Sequence, residues 1–287
     1  MLSKYFKYLI SLSISIYLFT IISKEIYVNF NFFEILINKY FTILLVFIIF
    51  LPIFYLLSLK LIFLVNHIQV INFFNSFKAT MIAYNYNLFF PAKAGDFFRY
   101  KYLDLSISIK NFINLNILEK LISLFVLIIL ILIGYILSDI KNNQIIILNN
   151  FYFIGIVIFQ LFIFFLIFKI TYKKDFLFKK IFKLFSYDLL IWLLQFLQIY
   201  LIVYIFNINI NFFDVILIFG TSIFIGLLPV SVGGFGVRDY IVFYFFEKLG
   251  LVNEVFSVLI LFNFRYLFPV LISFLITLYN IKNVENN

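Results

Sequence analysis

An all-α, polytopic membrane protein is the fold class this sequence predicts, and three observations carry that reading. Apolar residues make up 65% of the 287 positions and the mean hydropathy is +1.13, a composition no soluble globule could solvate. Windows of about 20 apolar residues, enough to cross a bilayer, recur along the chain. Breakers are rare and clustered: Gly233, Gly234 and Gly236, three of the nine glycines, fall within four residues just after Pro229. Irregular backbone at membrane depth is tolerated only where protein buries it or it lines a wet cavity. The expectation is one transmembrane domain over residues 1–287, with about 7–8 membrane helices and two re-entrant hairpins in inverted halves.

The formal charge of +9 invites a nucleic-acid reading. Without an aromatic and basic platform on a soluble fold, loop lysines obeying the positive-inside bias explain it better. The absence of cysteine excludes disulfides and thiolate metal sites. Only Arg99, Arg238 and Arg265 among 22 basic residues are arginine. All three fall in or beside the unusual segments, where a planar, permanently charged guanidinium has a use.

In chain order, a first helix spans about Tyr5–Ser23, retained because no small-residue cleavage site follows it. An interfacial turn is expected around Phe32–Ile37. Helix 2 covers Phe41–Leu59, with Pro52 inside it, and Lys60, Asn66, His67 and Gln69 form a polar connection. Next comes Asn75–Phe90, only moderately apolar, ending in Pro91-Ala92-Lys93-Ala94-Gly95-Asp96-Phe97-Phe98-Arg99. Helix 4 is Phe112–Ser138, opening with Glu119-Lys120; helix 5 ends near Phe168. Six lysines and one aspartate between Lys169 and Lys183 mark the cytoplasmic side. Helix 6 runs from about Tyr187 to Phe206 and helix 7 from Phe212 into the Pro229 break. Val237–Gly250 is too short to span at 1.5 Å per residue. The last helix is Glu254–Tyr279, interrupted at Arg265 and Pro269. With the lysine-rich loop inside, the crossings alternate if Asn75–Lys110 is re-entrant, and both termini are then cytoplasmic.

The two break regions resemble each other. Pro91 stands four residues before Gly95, and Pro229 four before Gly233; each tip is followed by an arginine and an acid, Arg99 with Asp96 and Arg238 with Asp239. Matched, interrupted segments in two inverted halves point to a transporter substrate site near mid-bilayer. Ordinary tight turns with Arg and Asp paired at the headgroup level are the plainer alternative. Glycines admit close backbone approach, helix N-termini add partial positive charge, and arginine offers a fork that fits phosphate. The candidate binding residues are therefore Lys93, Asp96, Arg99, Glu119, Lys120, Arg238, Asp239 and Arg265, on tips shaped by Pro91, Gly95, Pro229, Gly233, Gly234 and Gly236. A phosphate with a large apolar body fits that set, which describes a lipid.

Asn87 to Arg99 is similar to the N-x-x-x-P-x-R-x-G-[DE]-x-x-R stretch of the lysylphosphatidylglycerol synthase transmembrane-region family, whose members are described as flippase-like. Glu119-Lys120 resembles that family's Glu-Arg pair, Leu228 to Asp239 its L-P-x-S-x-G-G-x-G-x-R-[DE], and Arg265 an arginine of its last helix. Lys93 and Lys120 stand where arginine is usual, and Ser123 where an aspartate is frequent. The resemblance implies movement of a lipid headgroup between leaflets of the plasma membrane, with a phospholipid or glycolipid as ligand and a lipid-modifying enzyme as partner. Because the chain ends at Asn287, synthase activity is not expected. No cofactor, metal or nucleic acid is expected either; Gly233-Gly234-Phe235-Gly236 lacks the lysine and spacing of a phosphate-binding loop. The competing expectations are a glycosyltransferase-like membrane enzyme and an accessory subunit of an envelope-lipid pathway.

Overall fold

The computed structural model describes residues 32–66, 69–89, 91–103, 108–139, 155, 160, 163, 165–166, 178–227, 236–266 and 269–274. The expected first helix, most of helix 5, His67, the loop at 169–177, the tip at 228–235 and both termini lie outside them. Among the described residues every regular element is helical. Four helices are long and apolar enough to cross a membrane: Tyr40–Val65, Ile109–Leu137, Lys180–Ile205 and Val252–Phe274.

A short helix α1, Phe32–Asn38, replaces the turn expected there. The first span is two helices in line, α2 (Tyr40–Ile48) and α3 (Phe50–Val65). Pro52 lies in the first turn of α3 and has no N–H for the carbonyl four residues back, which explains a break at Ile49 rather than at the proline itself. The helix then runs on past Lys60 through Leu61–Val65, so Lys60 belongs to the span and not to the polar connection expected after Leu59.

Asn72 caps α4 (Phe73–Phe89) by accepting from the Asn75 amide at 2.8 Å. Seventeen residues reach about 25 Å, less than a hydrocarbon core of about 30 Å. The chain then folds back on α4 as a 3-10 helix, Pro91–Phe98, followed by α5, Arg99–Tyr102. Gly95 is what permits the fold-back: a Cβ there would lie 2.4 Å from the Asn87 backbone nitrogen. Tyr86 and Phe98 stack across the same contact at 4.3 Å. This is the first hairpin.

Ser108 caps α6 (Ile109–Leu137). The next described span, α7, is Phe178–Ile205. It begins well before the expected Tyr187, so Lys180 and Lys183 of the basic segment are helical. The second hairpin is α8 (Phe212–Gly226) against α9 (Val237–Lys248), both too short to span. Asn211 and Asp214 form a capping box at the start of α8, and Asp214 also accepts from the Ser138 hydroxyl at 2.6 Å, fastening α8 to the end of α6. Gly134 lets the two helices approach, its position facing the Leu217 amide. After Gly250 (φ +72°) comes α10, Val252–Phe264; the chain turns at Arg265 and Tyr266 and is helical again over 269–274. The larger core joins α6 to α10 around Phe196, Phe219, Phe246 and Phe262, and a smaller one lies between α3 and α6.

Candidate functional site: two buried charge clusters

Six charged side chains alternate in sign along one network. Asp188 of α7 meets Lys60 of α3 at 2.8 Å, and Lys60 meets Glu119 of α6 at 3.2 Å. Glu119 accepts from Arg99 at 2.9 Å, Arg99 donates to Asp96 at 2.8 Å, and Asp96 pairs with Lys120. Asn87 of α4 adds a hydrogen bond to Asp96 at 2.9 Å. All but Lys120 are nearly excluded from solvent, and Lys120 is about one-third exposed. Three acids face three bases, so the network is neutral as a unit. Its elements are the first hairpin and three spans, which it ties together.

The family-like stretch around Asp96 and Arg99 and the Glu119-Lys120 pair are thus brought into one network, and Arg238, Asp239 and Arg265 belong to another. Lys60 and Asp188 complete the network and were not among the expected binding residues. Signals for both exist in the sequence: Lys60 is followed by five more apolar residues, and Asp188 is a lone acid ahead of a long apolar run. Ser123, one turn after Glu119, accepts from the Trp192 indole at 3.2 Å. The Lys93 side chain lies outside the described residues, and Pro91 is seen only as the first residue of the 3-10 helix.

The second cluster is built at the start of α9. Gly236 sits at φ +84°, open to glycine and strained for other residues, and its N–H donates to Asp239 Oδ2 at 3.1 Å. The other carboxylate oxygen accepts from Asn263 Nδ2 at 3.2 Å and lies 3.7 Å from Arg238 Nε. Arg238 also donates to Asn263 Oδ1. Arg265, 2% exposed, donates to Gln198 Oε1 at 3.0 Å and to the Tyr266 hydroxyl at 2.8 Å, both uncharged, while its Nε has no partner. Gln198 is held in turn by the Val46 carbonyl at 2.6 Å.

Both guanidiniums lie over the same two rings. Each is 4.5 Å from the centre of Phe262, and they are 5.0 and 4.7 Å from Tyr266. The arginines are therefore no more than about 9 Å apart. At an effective dielectric of about 20 their repulsion is on the order of 2 kcal/mol. Two cations here face one carboxylate, since no acid among the described residues pairs with Arg265. Pro229, Gly233 and Gly234, which precede this site, lie outside the described residues.

A polar edge of α4 links the clusters. Asn87 bonds Asp96, Asn85 donates to Ser273 at 2.5 Å, and Tyr84 stacks on Tyr266 at 6.2 Å. On α7 the clusters are marked by Asp188 and Gln198, ten residues and about 15 Å apart, roughly half a hydrocarbon core. Beside the first network an apolar groove of about 180 Å³ is lined by Phe97, Ile117, Leu121 and Leu124 together with Asp96, Asn116 and Lys120.

Chemically the two clusters differ. The neutral network has internal partners for its charges, whereas the second cluster, among the described residues, holds two arginines and one carboxylate. Among the described residues no group of three or more His, Cys, Asp or Glu side chains is placed to hold a metal ion. No curated protein matches the chain. The family of the lysylphosphatidylglycerol synthase TM region does, over residues 8–273, and with nearly the whole length matched the chain belongs to that family of integral membrane proteins.

Proposed function

We propose that this protein moves a phosphate-bearing lipid between leaflets, holding the phosphate at Arg238 and Arg265 while the tails remain in the bilayer. One observation carries the reading: Arg238, at the start of a helix too short to span, and Arg265, at the turn after α10, are buried over the same two rings with one carboxylate, Asp239, beside Arg238 among the described residues. A lone intramembrane charge costs about 2.5–3.5 kcal/mol or more, so an unmatched one has a use. Arg99, Asp96, Glu119 and Lys120, with Lys60 and Asp188, hold the first hairpin to the spans and so set the surface against which the second hairpin moves. Plasma-membrane location, cytoplasmic termini and a lipid-modifying enzyme as partner belong to the same proposal, in which the lipid leaves chemically unchanged.

Reconstitution into vesicles with a fluorescent anionic phospholipid tests it. Wild type should move the lipid well above the protein-free rate, and Arg265→Gln and Arg238→Gln should slow it about tenfold or more, the weight of one charge-assisted phosphate contact or above. Movement at the wild-type rate in both variants would overturn the phosphate assignment. A covalently altered lipid recovered from the vesicles would replace translocation with catalysis.

A further inference from the structure

We infer that Asp188 is a proton-binding site, and that the proton it takes up is coupled to the binding of an anionic headgroup. The site stands on the geometry of the first network; its use in carrying a lipid rests on the translocator reading.

The three acids of the network differ in what holds them. Asp96 accepts from Arg99 and Asn87 and pairs with Lys120, and Glu119 is shared by Lys60 and Arg99. Asp188 stands at the end of the network, with Lys60 on Oδ1 at 2.8 Å and an Oδ2 that is buried without a hydrogen bond. A buried carboxylate oxygen short of a donor bears its desolvation cost in full. A proton on Oδ2 removes that cost, and the Ser123 hydroxyl, which lies beside the carboxyl, is the acceptor it meets. Asp96 or Glu119 would weaken two or more contacts by taking the same proton.

The surroundings leave Asp188 as the group that titrates. Its helix, α7, packs against α2, α3, α6, α8 and α10. Lys60 faces it from α3 and Glu119 from α6. Among the described residues α2, α8 and α10 bring it no charge: Asp214 is fastened to Ser138, and Arg265 to Gln198 ten residues further along α7. On α7 itself Tyr187 and Lys183 lie against Phe63. Residues 145–168, in the stretch assigned to helix 5, contain no Asp, Glu, Lys, Arg or His.

Proton uptake forms an O–H bond at Oδ2, with the proton drawn from water, and leaves Lys60 held by Glu119 alone. Whatever else surrounds the network, its charge rises by one. Arg265 lies against Gln198, about 15 Å along α7 from Asp188. At an effective dielectric of about 20, a unit charge over that distance favours an anion about fivefold. Proton and anion therefore favour each other's binding, and a phosphodiester crossing with the proton adds no net charge to the protein.

The chain carries its own reporter. Trp192, the one tryptophan in the sequence, stands a turn after Asp188. Its indole donates to the Ser123 carbonyl at 3.1 Å and to the Ser123 hydroxyl at 3.2 Å. Tryptophan fluorescence of the purified protein in detergent, scanned from about pH 4 to 9, should show a step that Asp188→Asn removes and Asp188→Glu keeps. The double variant Lys60→Met with Asp188→Leu, which loses the carboxyl together with its buried cation, should also lack the step, so its loss is not a folding defect. Fluorescent phosphatidylglycerol, whose charge is constant over this range, should bind wild type about fivefold tighter on the acid side of the step than on the basic side. Asp188→Asn should bind it equally on both sides. Absence of the step in wild type, its survival in Asp188→Asn, or equal lipid binding on both sides in wild type overturns the inference. The vesicle assay separates this claim from translocation. If lipid moves while the step survives Asp188→Asn, the proton site fails and translocation stands. If the step and the acid-favoured binding both depend on Asp188 but no lipid moves, translocation fails and the coupled proton site stands.

Discussion

Lys60 stands between two carboxylates, 2.8 Å from Asp188 and 3.2 Å from Glu119, with 2% of its side chain exposed. Removing it alone leaves Asp188 buried without its cation, while Glu119 keeps Arg99. Breaking one side of a buried pair costs about 3–5 kcal/mol, whereas replacing the whole pair by apolar residues is often neutral. Lys60→Met should therefore lower the midpoint of thermal unfolding in detergent markedly. Lys60→Met combined with Asp188→Leu should recover most of the loss. A double variant no more stable than the single one would mean that the pair is not an isolated unit of the network. The same residue shows where sequence reading fell short. An apolar run followed by lysine looks like a span ending at its interfacial anchor, and only the partner 128 positions later decides that the helix continues.

At the level of elements, glycine sets how closely the hairpins and spans pack, and the three best-defined positions differ in what opposes them. At Gly95 an added Cβ would meet backbone of α4, the Asn87 nitrogen at 2.4 Å and the Tyr86 carbonyl carbon at 2.6 Å. At Gly134 it would meet α8 at 3.0–3.1 Å, through the Ile216 side chain and the backbone at Leu217 and Phe213. At Gly220 the obstacle is the Ile131 side chain at 2.8 Å, which can change rotamer. Alanine substitutions should thus destabilise in the order Gly95, Gly134, Gly220, with overpacking costs of about 1–3 kcal/mol for the first two. Thermal unfolding of the three variants ranks them, and a neutral Gly95→Ala would refute the fold-back contact. Gly95→Ala should also slow lipid movement, because separating the 3-10 helix from α4 pulls Asp96 away from Asn87. The glycine's location at a break was legible from its spacing to Pro91. Its purpose was not, since the close approach depends on a helix eight residues earlier.

Across the whole molecule, the apolar spans were legible because hydropathy acts on every helix alike, while the partition of charges into a neutral network and a second, arginine-rich cluster was not. Asp96, Arg99, Arg238 and Asp239 look equivalent as two Arg and acid tips. They diverge because α3 and α7 supply Lys60 and Asp188 to the first tip, and α7 supplies only the uncharged Gln198 beside the second. The topology that produces this is testable. Lys60 pairs with Asp188 and Val46 with Gln198, so the first span runs antiparallel to α7. One end of the bundle then carries Lys78, Lys101, Lys110, Lys180 and Lys183, and the other carries Glu34, Asp139, Asp214, Glu247 and Glu254 with Lys39 and Lys248. The positive-inside bias assigns the lysine-rich end to the cytoplasm. With α7 reaching about 42 Å over its 28 residues, Lys180 and exposed Asn207 at its two ends should fall on opposite sides. Because the chain has no cysteine, Lys180→Cys or Asn207→Cys each creates a single thiol. An impermeant maleimide should label Asn207→Cys in intact cells and Lys180→Cys only after permeabilisation. The reverse pattern would invert the orientation and leave the packing intact, whereas labelling of both in intact cells would remove α7 from the set of spans and, with it, the membrane location of Gln198 and of the Arg265 it holds.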